Sequence, residues 1–140
     1  MTTVVDSNVF IVLWDRDQSL NRAAQACLDF ALKDGPLRIP APVFAELLAL
    51  PGRTEKFLDG FFSDAGIFVE WDLREPVWRT AAFAFQAYAQ RRRKHAGGQP
   101  RRILADFLIG AYAQHQRARL LTIDHQLYRA AFPELQILKF

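Results

Sequence analysis

The amino-acid sequence predicts a single α/β domain in which helices cover both faces of a parallel sheet. Short apolar segments, rich in β-branched residues, alternate along the chain with segments of helical periodicity. The chain has 140 residues, which is enough for one domain with a buried core. Apolar residues make up 51% and charged residues 24%, as in ordinary globular domains rather than in disordered chains.

Proline, glycine and capping residues bound the elements of the first half. Thr2–Val5 is β-branched and predicts the first strand, and Ser7-Asn8 starts a turn or helix after it. Asp34-Gly35-Pro36 and Pro51-Gly52 each end a predicted helix, and Thr54 caps another. The other predicted elements here are helices over residues 20–33, 42–50 and 54–63 and strands over residues 37–39 and 67–71.

The second half continues the same alternation. Pro76 opens a long predicted helix, a Gly-Gly loop follows it, and Asp124 caps a short helix near the end. The predicted elements are helices over residues 76–94, 102–116 and a short stretch after 124, and strands over residues 120–122 and 136–138. Ligands of parallel sheets bind beyond the carboxyl ends of the strands, so the residues that follow each strand are the candidates for a site.

Charge is distributed unevenly along the chain. Residues 1–75 contain 7 Lys/Arg and 12 Asp/Glu, whereas residues 76–140 contain 11 and 3. No acidic residue lies between Glu75 and Asp106. Such a block is either a solvated face or a surface that meets a polyanion. Its residues nearest the Gly-Gly loop are Arg91, Arg92, Arg93, Lys94, Arg101 and Arg102.

Several classes of protein are not expected from this sequence. No uncharged apolar run approaches the ~18 residues of a membrane span, and the first residues do not resemble a secretory leader. Cys27 is the only cysteine, so an internal disulfide or a zinc cluster of cysteines is excluded. No Gly-x-Gly-x-x-Gly motif follows the first strand, which argues against dinucleotide binding. We expect a cytoplasmic protein without a membrane partner.

Four carboxylates occupy positions suited to a site. Asp6 and Asp124 directly follow predicted strands, and Glu46 and Asp106 are single acids in otherwise apolar helical segments. Each also has a structural explanation. Asp6 and Asp124 could cap helices, and Asp106 could pair with Arg102 one turn earlier. Glu46 could meet an arginine or lie at an exposed edge.

Convergence of these four groups would require compensation of their charge. At an effective dielectric near 20, two unit charges 4 Å apart repel by about 4 kcal/mol. Protonation or a divalent cation would relieve this repulsion. Ligands that offer only oxygen favour hard cations such as Mg²⁺ or Mn²⁺. Beside a basic block, such a centre is typical of phosphodiester hydrolysis.

Four segments carry these acids in a recognisable order: Val4–Phe10, Pro42–Glu46, Arg102–Ala111 and Leu120–Asp124. They resemble the four acidic motifs of PIN-domain nucleases, and most closely those of VapC-type toxins from bacterial toxin–antitoxin pairs. The resemblance implies one PIN-like domain over residues 1–140. It further implies a three-layer sandwich with about five strands in the order 3-2-1-4-5, and a Mg²⁺- or Mn²⁺-dependent endoribonuclease.

The resemblance also assigns roles to individual residues. It implies that the metal ligands and catalytic residues are Asp6, Glu46, Asp106 and Asp124. Asn8 and Thr122 would orient these carboxylates. The resemblance further implies a cognate antitoxin as partner and a homodimer. The positive charge around the Gly-Gly loop indicates that RNA would contact the basic residues there.

One departure from the family pattern concerns a fifth acid. Many members carry it two or three places after the fourth, where this chain has Gln126 and Leu127. A second metal ion is therefore in doubt. His125 is adjacent to Asp124, but its position predicts a histidine on a helix surface.

Two alternatives to a ribonuclease follow from the same residues. An inactive PIN-fold module that binds RNA or protein would keep the fold without hydrolysis. A phosphatase of the haloacid-dehalogenase type also has an aspartate after its first strand. That class needs a second aspartate two places on, where this chain has Asn8.

Overall fold

A computed structural model of the protein describes residues 1–96 and 104–140. Five strands and seven helices alternate in this part of the chain. The strands are β1 (Thr3–Val5), β2 (Leu37–Pro40), β3 (Ile67–Glu70), β4 (Arg119–Leu121) and β5 (Ile137–Leu138). The helices are α1 (Ser7–Trp14), α2 (Asn21–Asp34), α3 (Ala41–Leu48), α4 (Glu55–Ala65), α5 (Glu75–Ala96), α6 (Leu104–His115) and α7 (His125–Ala131).

The strands form one parallel sheet in the order β3-β2-β1-β4-β5. β1 lies in the centre, with Thr3 opposite Leu37 of β2 and Val5 opposite Leu121 of β4. Successive residues of a strand point to opposite faces, and both Val4 and Val5 are fully buried. Both faces of the sheet are therefore covered, which confirms the predicted three-layer α/β fold and its strand order.

The predicted elements correspond to observed ones, with ends that differ by at most two residues wherever the structure describes them. The predicted start of α6 at Arg102 lies outside the described residues. Thr54 caps α4 as predicted, since its hydroxyl accepts a hydrogen bond from the Phe57 N–H at 3.1 Å. The prediction that Asp124 caps a helix is right about its position but wrong about its hydrogen bond. Asp124 precedes α7, but its side chain makes no capping hydrogen bond.

α6 is the most deeply buried helix and approaches its neighbours through small residues. Gly110 packs directly against the ring of Phe132, and a side chain at position 110 would overlap that ring. On another side, Phe107 receives Phe85 of α5 edge-to-face, with 5.0 Å between ring centroids. These contacts fix the position of α6, whose first turn carries Asp106.

Apolar residues recur at helical spacing along α5, but not all of them enter the core. Ala81 and Ala89 are buried together with Val77, but Trp78 is 46% exposed. The apolar residues of α5 extend around more of the helix than the part that packs on the core, so Trp78 at their edge faces outward. None of the helices in the described ranges is both long and apolar enough to cross a membrane.

Candidate active site

Asp6 lies at the carboxyl end of the central strand. Its backbone N–H continues the β1–β4 pairing by donating to the Leu121 carbonyl at 2.9 Å, and α1 begins at the next residue. The side chain makes no capping hydrogen bond to α1, which excludes the explanation of Asp6 as a helix cap. Only 3% of Asp6 is exposed, so the fold holds a carboxylate inside the protein at the point where strand order reverses.

Glu46 is brought to Asp6 by α3, the helix that follows the neighbouring strand β2. The Ser7 hydroxyl lies between the two carboxylates: Ser7 Oγ is 3.0 Å from Glu46 Oε1 and 3.4 Å from Asp6 Oδ1. Glu46 is half-buried, and within the described residues its hydrogen-bond partner is this serine rather than an arginine. The structure thus brings together two of the four predicted carboxylates.

The surroundings disfavour negative charge on this pair. Burial raises the pKa of Asp6, and hydrogen bonds from Thr122, Tyr128 and Ser7 oppose that shift. Burial is also the main reason that the pKa of Glu46 is raised, and the negative charge of Asp6 raises it further. No lysine or arginine within the described residues hydrogen-bonds or ion-pairs with either carboxylate.

Asn8 and Thr122 lie against the other oxygen of Asp6. Asn8 Nδ2 donates to Asp6 Oδ2 at 3.3 Å, and Thr122 Oγ1 donates to the same oxygen at 2.9 Å. The two donors also contact each other, because Asn8 Nδ2 lies 3.2 Å from Thr122 Oγ1. Both residues thus contact the Asp6 carboxylate. This is one of the carboxylates that the resemblance predicts they orient.

Tyr128 is a contact of Asp6 that the sequence motifs did not reveal. Its hydroxyl donates to Asp6 Oδ2 at 3.0 Å, and 1% of the residue is exposed. Burial, followed by the charges of Asp6 and Asp106, raises the pKa of Tyr128 well above its ordinary value, so the hydroxyl keeps its proton. The one available signal was its spacing, because Tyr128 lies one helical turn after Asp124 in the last acidic motif.

Asp106 and Asp124, the other two predicted carboxylates, lie at the start of α6 and directly before α7. The charge of Asp106, in the first turn of α6, acts on the buried hydroxyl of Tyr128. Asp124 is half-buried, and its backbone N–H donates at 3.0 Å to the Thr122 hydroxyl, which in turn contacts Asp6. His125 follows it and is half-buried rather than on the surface as predicted. Its Nε2 atom is buried without a hydrogen-bond partner in the described part of the chain.

The predicted basic surface is described in part. Arg91, Arg93 and Lys94 are exposed near the end of α5, and Arg92 is partly buried. Arg101 and Arg102, together with the proposed pairing of Arg102 with Asp106, lie outside the described residues. Tyr88 of α5 contacts Phe107, with 5.5 Å between ring centroids, and Phe107 is adjacent to Asp106. The basic end of α5 therefore lies at the same end of α6 as Asp106.

The donor chemistry of this centre fits a hard divalent cation. Asp6 and Glu46 offer only oxygen, their pKa values are raised, and no cationic side chain described here neutralises them. Over residues 1–96 and 104–140, however, no three His, Cys, Asp or Glu side chains are grouped as a ready metal cluster. The structure thus presents a carboxylate pair with Asp106 nearby, rather than a closed cage of ligands.

A comparison with protein-family models decides the relationship. The model of the PIN domain matches residues 3–133, which is most of the chain and includes all four carboxylates. The chain belongs to the PIN domain family. PIN domains are generally nucleases, so the PIN chain is a member of a nuclease family rather than of the haloacid-dehalogenase type of phosphatase. The comparison with curated proteins found no match.

Solved structures agree on the fold. VapBC2 from Rickettsia felis, bound to a fragment of promoter DNA, has a TM-score of 0.64 and 17% identity, covering 100% of this PIN chain and 99% of the other. VapBC-1 from nontypeable Haemophilus influenzae has a TM-score of 0.66 and 16% identity, covering 99% and 98%. FitAcB from Neisseria gonorrhoeae has a TM-score of 0.63 and 22% identity, covering 97% and 96%. At these identities the similarity concerns the fold.

Proposed function

We propose that this PIN domain is a Mg²⁺- or Mn²⁺-dependent endoribonuclease that hydrolyses RNA phosphodiesters. The observation that carries the proposal is the pairing of buried Asp6 with half-buried Glu46 at the switch point of the sheet, without a cationic partner among the described residues. We assign Asp6, Glu46, Asp106 and Asp124 as the ligands. A bound divalent ion would lower the pKa of a water molecule and stabilise the charge that develops on phosphorus.

Other residues of the protein orient the ligating carboxylates and bind the RNA. Asn8 and Thr122 hold the Asp6 carboxylate in one orientation, and Ser7 fixes its spacing from Glu46. The cationic end of α5 attracts RNA phosphates towards a centre whose own carboxylates would repel them. Arg91, Arg92, Arg93 and Lys94 belong to this surface by position, and we include Arg101 and Arg102 by sequence.

Two substitutions test the site. Asp6→Asn and Asp106→Asn should each abolish Mn²⁺-dependent cleavage of a labelled RNA while circular dichroism remains that of the parent. Asp59→Asn is the matched control, because Asp59 is an exposed acid in the middle of α4. If Asp6→Asn or Asp106→Asn cleaves as fast as the parent, the proposed site is wrong.

Calorimetry separates this proposal from the inactive module considered above. An active centre should bind Mn²⁺ in the parent protein and lose that binding in Asp106→Asn. A scaffold that only binds RNA or protein would show no specific Mn²⁺ binding in the parent, and Asp106→Asn would then make no difference. Cleavage should also disappear in EDTA and return when Mn²⁺ is added in excess.

We further propose that the protein is the toxin of a type II toxin–antitoxin pair, with its antitoxin as partner, and that it forms a homodimer in the cytoplasm. The similarity to VapBC and FitAB complexes supports the antitoxin, and the exposed Trp71, Trp78 and Phe83 support a contact between copies. Co-expression with the product of the adjacent reading frame should yield a stable complex in which RNA cleavage is suppressed. A monomer at micromolar concentration in light scattering would contradict the homodimer.

A further inference from the structure

The two oxygens of the Asp6 carboxylate have different surroundings. Oδ2 lies within hydrogen-bond distance of three donors: Thr122 Oγ1 at 2.9 Å, the Tyr128 hydroxyl at 3.0 Å and Asn8 Nδ2 at 3.3 Å. A carboxylate oxygen has about two lone-pair positions, so the short bonds from Thr122 and Tyr128 already fill them. Among the side chains that the structure describes, one contacts Oδ1, namely Ser7 through Oγ at 3.4 Å. Oδ1 is therefore the oxygen that remains available.

The available oxygen faces the second carboxylate. Ser7 Oγ, the neighbour of Asp6 Oδ1, also lies 3.0 Å from Glu46 Oε1. The free side of Asp6 and the carboxylate of Glu46 thus meet across one hydroxyl group. A cation held by both residues would contact Asp6 through Oδ1, on the side away from Tyr128.

Tyr128 is suited to hold this orientation but not to bind an ion itself. Its ring is buried and its hydroxyl proton is directed to Asp6 Oδ2. The last bond of an aspartate side chain has a broad rotational preference, so its carboxylate keeps one orientation only when neighbours fix it. Tyr128 and Thr122 supply the two shortest of these contacts from α7 and from the segment after β4.

We propose that Tyr128 is a positioning residue which, together with Thr122, occupies Oδ2 of Asp6 and so presents Oδ1 to the divalent ion. This assignment rests on the proposed function, because it concerns the same centre. It predicts that loss of the tyrosine hydroxyl weakens metal binding while the fold remains. Outer contacts of metal ligands typically change metal affinity 10–100-fold.

The experiment is a titration of the metal-free protein with MnCl₂ in a calorimeter. Tyr128→Phe should bind Mn²⁺ at least 10-fold more weakly than the parent, with an unchanged circular dichroism spectrum. Tyr112→Phe is the matched control, because Tyr112 is equally buried but has Arg38 and Glu70 as its charged neighbours. It should bind Mn²⁺ within 2-fold of the parent. Equal affinities for Tyr128→Phe and the parent, or equal losses in both tyrosine variants, would overturn the proposal.

A second pair of variants keeps the test decisive if Tyr128→Phe does not fold. Thr122→Val removes the other short contact to Oδ2 and should weaken Mn²⁺ binding to a similar extent. Thr122→Ser restores the hydroxyl and should return the affinity to within 3-fold of the parent. If Thr122→Val binds Mn²⁺ as tightly as the parent does, the hydroxyl contacts to Oδ2 do not position Asp6 for the ion, and the proposal fails.

RNA cleavage distinguishes this proposal from the function on which it rests. In Tyr128→Phe, saturating Mn²⁺ should restore the cleavage rate to within a few-fold of the parent, whereas the Mn²⁺ concentration for half-maximal rate should rise at least 10-fold. A parent protein that binds Mn²⁺ without cleaving RNA would refute the ribonuclease, and the positioning role would still be decided by the affinities.

Discussion

Replacing Asp6 with asparagine should stabilise the metal-free protein at neutral pH, although it should destroy the proposed site. Asparagine has nearly the same shape. Its oxygen can occupy the position of Oδ2 and accept from Thr122 and Tyr128, and its amide can donate to Ser7 Oγ in place of Oδ1. The substitution therefore removes a buried negative charge and retains the pattern of hydrogen bonds.

The expected gain follows from the distance between the two carboxylates. Asp6 Oδ1 and Glu46 Oε1 are at most about 6.4 Å apart, since Ser7 Oγ lies 3.4 Å from one and 3.0 Å from the other. Two charges at that distance repel by about 2.5 kcal/mol at an effective dielectric near 20. Glu46 is half-buried, so solvent screening reduces the repulsion to about 1 kcal/mol. This corresponds to an increase in Tm of about 3 °C for a domain of this size.

The pH dependence has a definite sign. The pKa of Asp6 is raised in the folded state, so the native protein retains a proton that the unfolded chain releases. Its contribution to stability is fully present below the unfolded-state pKa of about 4 and is lost as pH rises through the folded pKa. The advantage of Asp6→Asn over the parent should therefore be close to zero near pH 4 and greatest at neutral pH.

Urea unfolding in EDTA, followed by circular dichroism between pH 4 and pH 8, measures this difference. Asp59→Asn should stay within about 0.5 kcal/mol of the parent throughout. Adding Mn²⁺ at 100 times its Kd should stabilise the parent by about 2.7 kcal/mol and reverse the order of the two proteins. If Asp6→Asn is less stable than the parent at pH 7 without metal, the buried charge is stabilised by the fold and this reasoning is refuted.

Two further predictions concern the basic surface and the packing of α6. Arg91→Ala combined with Arg93→Ala should weaken RNA binding and reduce its salt slope, by about 0.7 for each phosphate that is no longer neutralised, whereas the exposed Arg22→Ala should leave the slope unchanged. An unchanged slope in the double variant would exclude phosphate binding there. Gly110→Ala should destabilise the protein by about 1–3 kcal/mol in thermal denaturation, because a buried ring fills the space beside it. Gly60→Ala, in open space on α4, should instead be neutral or stabilising.

Much of the fold could be predicted because it depends on local patterns. The alternation of apolar strands with helices indicated a parallel sheet, and Pro-Gly pairs and Thr54 placed the ends of several elements. The candidate carboxylates could also be found, because an acid after a strand or in an apolar helix is conspicuous. Trp78 shows the limit of such patterns, since helical periodicity does not tell which edge of a wide apolar stripe meets α6.

The contacts of Asp6 could not be predicted from the sequence in the same way. Ser7 has the character of an ordinary residue at the start of a helix, and Tyr128 that of a core aromatic residue. Their hydroxyl contacts depend on where α3 and α7 pack relative to β1, which is a property of the assembled fold. The basic end of α5 could be predicted as a charged surface, but its proximity to Asp106 became visible only through the contact of Tyr88 with Phe107.

The hydrogen bonds that hold Asp6 join distant parts of the domain, across 116 residues to Thr122 and 122 residues to Tyr128. A nascent chain exposes Asp6 well before Thr122 and Tyr128, so the carboxylate lacks both partners until nearly the whole domain has been synthesised. Closing such long loops is slow compared with forming local helices. The proposed ribonuclease would therefore be silent during its own synthesis until β4 and α7 had been made and packed against β1.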